Sequence, residues 1–222
     1  NDLKNVYVGQ DREDEMVALF DYCLFGKGGA APSIDTAMHA LVDQLHVDHL
    51  HPDSIIAFAT SADGPALTKA CFGDEILWVD WRRPGFQLGL DISRIAAENP
   101  KAKGCILGGH GLTTWADTSD ECESRSLAAI KKAEEFIKAK GKADPFGPVI
   151  AKFKPLPPTE RRARASKLSP LLRGVASTDS RMVGHFTDSD VVLDFMERQS
   201  LEKLAALGTS CPDHFLRTKI SP

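Results

Sequence analysis

The chain has 222 residues, 42% hydrophobic and 26% charged, which are ordinary proportions for a globular protein with a core of its own. A net charge of -4 without any continuous basic face gives no footprint for nucleic acid. No apolar run approaches the about 18–20 residues of a membrane-spanning helix, and the polar, acidic opening is not a signal peptide.

In chain order, Val17, Leu19, Phe20, Leu24 and Phe25 follow the acidic Asp11 and Glu13, which predicts a short helix within 11–25 with negative charge in its first turn. Gly26 to Pro32 reads as a loop. Ser33 is placed to cap a helix over 34–45, on which Asp35 and His39 share a face at i and i+4. The apolar run Ile55–Thr60 has the length and β-branched start of a buried strand. A turn at 61–65 leads to a short helix ending near Cys71, a strand over 75–79, and a helix over 87–98 with Leu88, Ile92 and Ile95 on one stripe. Residues 104–109 read as a short buried strand with glycines at its exit. Thr118 and Glu121 have the spacing of a capping box, opening a helix that runs to about Lys140 and stops at Gly141. Its expected core face is Leu127, Ile130, Ala133 and Ile137.

Composition changes near Pro155–Pro158, and a basic segment follows in which Arg161, Arg162 and Arg164 read as a solvated helix face. A strand over 181–186 and a helix over 190–207 close the pattern. Strands alternate with helices, so the expected class is α/β with a sheet covered on both faces. The expected organisation is a core domain over 1–150 and an extension over 151–222. Five scattered cysteines without Cys-x-x-Cys spacing read as reduced thiols of a cytoplasmic protein.

Four of the seven histidines fall at His39, His46, His49 and His51. In an extended segment His49 and His51 point to the same side, because side chains alternate. Two imidazoles on one face make half a metal site, and His110 is the candidate for the rest. Gly109 and Gly111 flank it, and glycine lets backbone crowd close to a bound ion or substrate. Three imidazoles with an open position suit a catalytic rather than a structural zinc ion. Such a site needs a proton carrier, for which Asp35 is the candidate; its plain alternative is charge complementing a helix N-terminus. His39 is a candidate to hold a ligand or the acid in place, and His46 reads as structural.

Pro32-Ser-Ile-Asp35 with His39, Val47-Asp-His-Leu-His-Pro-Asp53, Trp81-Arg-Arg-Pro-Gly-Phe86, Leu107-Gly-Gly-His-Gly-Leu112 and the closing Gly208-Thr-Ser-Cys-Pro-Asp-His-Phe-Leu-Arg-Thr-Lys219 carry a likeness. Through them the chain resembles the class II aldolase/adducin superfamily, and within it the aldolase part of bifunctional rhamnulose-phosphate aldolase/short-chain dehydrogenase proteins. The resemblance implies a three-layer α/β/α sandwich and a divalent ion, Zn2+ or another, on His49, His51 and His110. It places the catalytic carboxylate on Asp35, one methylene shorter than the glutamate usual in related aldolases. Ser33, His39, Gly109, Asp213 and His214 are the residues to expect around the ligands or the substrate. Asp213 and His214 with Arg217 and Lys219 are candidates to place charge near a phosphate, the plain alternative being a domain-connecting segment with solvated basic residues.

The activity implied is reversible cleavage of a ketose 1-phosphate, rhamnulose 1-phosphate in type. The metal stabilises the enediolate, and the products are dihydroxyacetone phosphate and lactaldehyde. The resemblance also implies a homo-oligomer, a tetramer. The family's phosphate-binding turn and a Gly-x-Gly-x-x-Gly motif are both absent from the sequence, so the chain reads as a piece of a longer protein. Its NAD-dependent dehydrogenase domain would lie elsewhere. A non-catalytic adducin-like binding head and a related sugar-phosphate epimerase or dehydratase are the alternatives.

Overall fold

A computed structural model describes residues 2–26, 28–152 and 154–218. Lys27 of the glycine-rich loop and Lys219 of the closing motif lie outside the described residues. The described chain divides into two units. One takes residues up to 141 together with those from 209 onward, and the other takes 142–208.

The first unit is built on a four-stranded sheet in the order β1-β4-β3-β2, comprising β1 (His46–Leu50), β2 (Ile76–Val79), β3 (Gly104–Leu107) and β4 (Gly111–Ala116). β4 runs antiparallel to both β1 and β3, while β2 and β3 are parallel. β1 and β3 therefore point the same way and end at the same edge of the sheet. In this unit α1 (Glu13–Leu19), α2 (Thr36–Leu41), α3 (Asp53–Ala59), α4 (Gly64–Phe72), α5 (Phe86–Glu98) and α6 (Ser119–Lys140) surround the strands.

Alternation along the strands sorts the core into two layers. Ile76, Ile106 and Leu112 pack with Ile55, Phe58 and Phe72 of α3 and α4 and with Ala129 and Ala133 of α6. Val79, Cys105, Leu107 and Trp115 face the other way, onto Met38 of α2 and onto Leu88 and Ile92 of α5. The result is a mixed α/β fold in three layers, helix, sheet and helix. Among the described residues no helix is long and apolar enough to cross a membrane.

Several elements differ from the sequence reading. Residues 55–60, expected as a strand, form most of α3 and its C-cap Thr60: Pro52 holds extended backbone at the N-cap, and the amides of Ile55 and Ile56 both donate to its carbonyl. Burial of Ile55, Ile56, Phe58 and Ala59 with Ala57 exposed is a helical period, which the short apolar run concealed. The strand comes earlier, over the histidines themselves. α2 is shorter than expected, beginning after Asp35 rather than Ser33. α6 has its expected start, with Thr118 Oγ1 accepting from the Glu121 amide at 3.2 Å. Its buried face, however, is Cys122, Ser126, Ala129 and Ala133, and Leu127 is 58% exposed. The face is rotated because Ser126 meets Thr114 Oγ1 at 2.6 Å and so turns a polar residue toward β4.

The second unit contains α7 (Pro158–Ala176), α8 (Asp190–Met196) and α9 (Leu201–Ala205). Residues 181–186, expected as a strand, are exposed and irregular. The expected helix over 190–207 is broken at Arg198, whose guanidinium bonds Asp194, Asp144 and the Gly147 carbonyl. α10 (Pro212–Thr218) belongs to the first unit again.

Glu13 ties two of the outer helices together. Expected as negative charge in the first turn of a helix, it is only 2% exposed. Its carboxylate accepts from the amides of Phe86 and Gln87 at the N-terminus of α5 and from the Tyr7 hydroxyl at 3.0 Å. A helix N-terminus has unpaired donors and partial positive charge, and Gly85 at the N-cap supplies no side chain. Glu13→Ala strands those buried amides, so it should cost about 1–3 kcal/mol in urea unfolding. An unchanged midpoint would show that water replaces the carboxylate without loss.

Candidate metal centre

The register of β1 on β4 pairs His49 with Thr113 and Leu50 with Leu112, which leaves His51 just beyond the last pair. His110 sits in the turn that joins β3 to β4. Gly109 in that turn has φ +64°, a left-handed conformation that favours glycine, and a Cβ there would meet the Trp81 indole at 2.8 Å. The turn is anchored by the Gly108 amide on the Val79 carbonyl at 2.8 Å and the Gly109 amide on Ala59 at 2.7 Å. Strand ends from one sheet edge thus deliver all three histidines to one place.

There the ring nitrogens converge. His49 Nε2 lies 2.9 Å from His51 Nε2 and 3.1 Å from His110 Nε2. His49 Nδ1 is 3.0 Å from the Leu112 carbonyl and 3.1 Å from Thr113 Oγ1. A carbonyl only accepts, so Nδ1 carries the hydrogen and Nε2 of the neutral ring is bare. His51 Nδ1 meets Asp213 Oδ2 at 2.7 Å, and the same reasoning leaves its Nε2 bare. Two lone pairs facing at 2.9 Å repel unless positive charge lies between them. The donor set fits a divalent ion of the kind that imidazole binds, such as zinc. His51 also needs Gly111, where a Cβ would lie 2.4 Å from the His51 ring.

Both His49 and His110 are held far below the ordinary imidazole value, at about 4 rather than 6.5. Loss of water around the ring is the main cause in each. Neighbouring imidazoles add to it, and the negative charges of Asp35 on His49 and Asp213 on His110 oppose it. The rings are therefore neutral near pH 7, the form a metal requires.

Asp35 is the N-cap residue of α2. Its amide donates to Ser33 Oγ at 3.1 Å, Oδ2 is 3.4 Å from the same hydroxyl, and buried Oδ1 has no partner among the described residues. His39 is not in the cluster; its Nδ1 lies 2.9 Å from the Val47 carbonyl, linking α2 to β1. His46 begins β1, and its carbonyl accepts from the Cys122 thiol. His214 Nδ1 is 3.0 Å from Ser210 Oγ. The supports of His49, Leu112 and Thr113, escaped the sequence reading because β4 itself did; Thr-Thr-Trp at 113–115 was the strand signal available.

Residues 5–136 match the class II aldolase and adducin N-terminal domain, and residues 163–222 match the second domain of class II aldolase. The chain belongs to the class II aldolase/adducin superfamily. An uncharacterized oxidoreductase, YuxG of Bacillus subtilis (strain 168), is 33% identical over 211 residues, which are 95% of this chain and 30% of that protein. The chain thus spans less than a third of that relative's length. Among solved structures, the N-terminal class II aldolase domain of a conserved protein from Thermoplasma acidophilum shares the fold at a TM-score of 0.52 and 23% identity. That match covers 61% of this chain and 62% of the other. An L-fuculose 1-phosphate aldolase aligns at a TM-score of 0.40 and 17% identity over 65% of this chain and 67% of that one.

The histidine shifts set a pH dependence for the metal-free domain. Unfolded rings take up protons near 6.5 and folded ones near 4, so between these values the unfolded state binds more protons and stability rises with pH. The contribution is complete above about pH 6.5 and is lost as pH falls toward 4. Urea midpoints measured across that window in the presence of chelator should fall with pH, and less steeply in His49→Asn/His110→Asn. The same slope in both proteins would contradict the shifts.

Proposed function

We propose that this chain is the catalytic domain of a metal-dependent class II aldolase that cleaves a ketose 1-phosphate, rhamnulose 1-phosphate in type, to dihydroxyacetone phosphate and lactaldehyde. The observation that carries the reading is the pair of bare Nε2 atoms at 2.9 Å with a third imidazole nitrogen 3.1 Å from one of them, inside a class II aldolase fold. His49, His51 and His110 would hold the ion. When bound, a zinc ion supplies Lewis-acid stabilisation of the negative charge that develops on the donor half as the carbon–carbon bond breaks.

The chain's own residues do the rest. The desolvated, neutral rings of His49 and His110 exclude competing protons near pH 7. Asp35 is the proton carrier in this reading. Its unpartnered Oδ1 takes the hydroxyl proton of the carbon that becomes the aldehyde, the electron pair of the breaking bond stays with the donor half, and a proton delivered to that carbon completes dihydroxyacetone phosphate and restores the carboxylate. Ser33 holds the Asp35 amide and limits the carboxylate's freedom. In a longer protein the aldehyde would pass to an NAD-dependent oxidoreductase domain, and the assembly would be a homo-oligomer, a tetramer.

The test is aldehyde release from rhamnulose 1-phosphate by the zinc-loaded protein, beside its chelated form and His110→Ala. Chelation or the substitution should each lower the rate about 100-fold or more. Zinc bound without lactaldehyde, but with an isomerised or dehydrated sugar phosphate, would replace cleavage by the epimerase or dehydratase reading. A protein that binds no zinc would leave a binding head.

A further inference from the structure

The three histidines are supported in different ways. His49 is held from within the sheet by the Leu112 carbonyl and Thr113. His110 Nδ1 is buried and finds no hydrogen-bond partner among the described residues. Among the described residues, His51 alone of the three is held by a carboxylate, that of Asp213, 162 residues further along the chain. Asp213 lies in the first turn of α10, and the chain reaches it only after the whole of the second unit. Cys211, two residues earlier, is 7% exposed and anchors this returning segment in the first unit.

We infer that Asp213 is a positioning residue of the centre, fixing the tautomer and orientation of His51 so that its Nε2 lone pair faces His49 and His110. The inference rests on the reading of the triad as a metal centre. The ring has two restraints: Gly111 backbone against Cδ2 on one side and the carboxylate on Nδ1 at 2.7 Å. A carboxylate behind a ligating imidazole also raises the basicity of the ring nitrogen opposite. The Asp213 side chain is 58% exposed, against 16% for His51, so the pair is not a device for core stability. Its consequence is that the centre depends on residues on both sides of the 142–208 unit.

Two readouts on the full chain test this. In the metal-free protein, long-range 1H–15N spectra should find the hydrogen of His51 on Nδ1. Asp213→Ala should shift it to Nε2 or to a mixture. Zinc affinity should fall about 10–100-fold in Asp213→Ala. Asp213→Asn, whose amide oxygen still accepts from Nδ1, should lose less. The urea midpoint of the metal-free protein should stay unchanged in both variants. Wild-type zinc binding with an equal affinity and an unaltered His51 tautomer in Asp213→Ala would overturn the assignment of Asp213 alone. A wild-type chain that takes up no zinc would overturn the metal centre beneath it.

Discussion

Two imidazole lone pairs 2.9 Å apart are a repulsive arrangement that the rest of the fold is built to maintain. Each ring is locked by a partner that can only accept: the Leu112 carbonyl for His49 and the Asp213 carboxylate for His51. Neither ring can relieve the contact by moving its hydrogen to Nε2 without breaking that bond and setting a bare Nδ1 against an acceptor, which is costly. A cation resolves the conflict. The geometry stores no catalytic power by itself, but it leaves a place whose electrostatics favour positive charge.

β4 makes this possible. It pairs antiparallel with both β1 and β3, so the ends of those strands meet at one sheet edge. It also supplies the backbone carbonyl that sets the His49 tautomer, and at Gly111 the space for His51. Layers of helices on both faces bury the strands, remove water from His49 and His110, and hold both rings neutral. Packing, register and ring chemistry are therefore one constraint, with the Asp35 end of α2 set against the same face.

The three clustered histidines were legible because their signals are local. His-x-His puts two rings on one side of extended chain, and the glycines around His110 mark a close backbone approach. The strand was placed at 55–60 rather than at 46–50, since Ile55–Thr60 has a composition that suits strand and helix alike; Pro52 followed by Asp53 was the helix-start signal that decides between them. Glu13 was read only as negative charge in a helix first turn because nothing near it in sequence reveals that Phe86 and Gln87 bring their amides to it. Asp213 could be singled out only as part of a motif. Its pairing with His51 spans 162 residues and is a product of tertiary folding.

Membership of the class II aldolase/adducin superfamily rests on the sequence match over residues 5–136, and the proposal that this member is catalytic rests on the centre. Zinc K-edge X-ray absorption of the zinc-loaded chain tests that most directly. The account predicts nitrogen and oxygen neighbours at about 2.0–2.2 Å with the outer-shell scattering of three imidazoles, falling to two in His110→Ala. Sulfur neighbours at about 2.3 Å, or a shell without imidazole scattering, would contradict it.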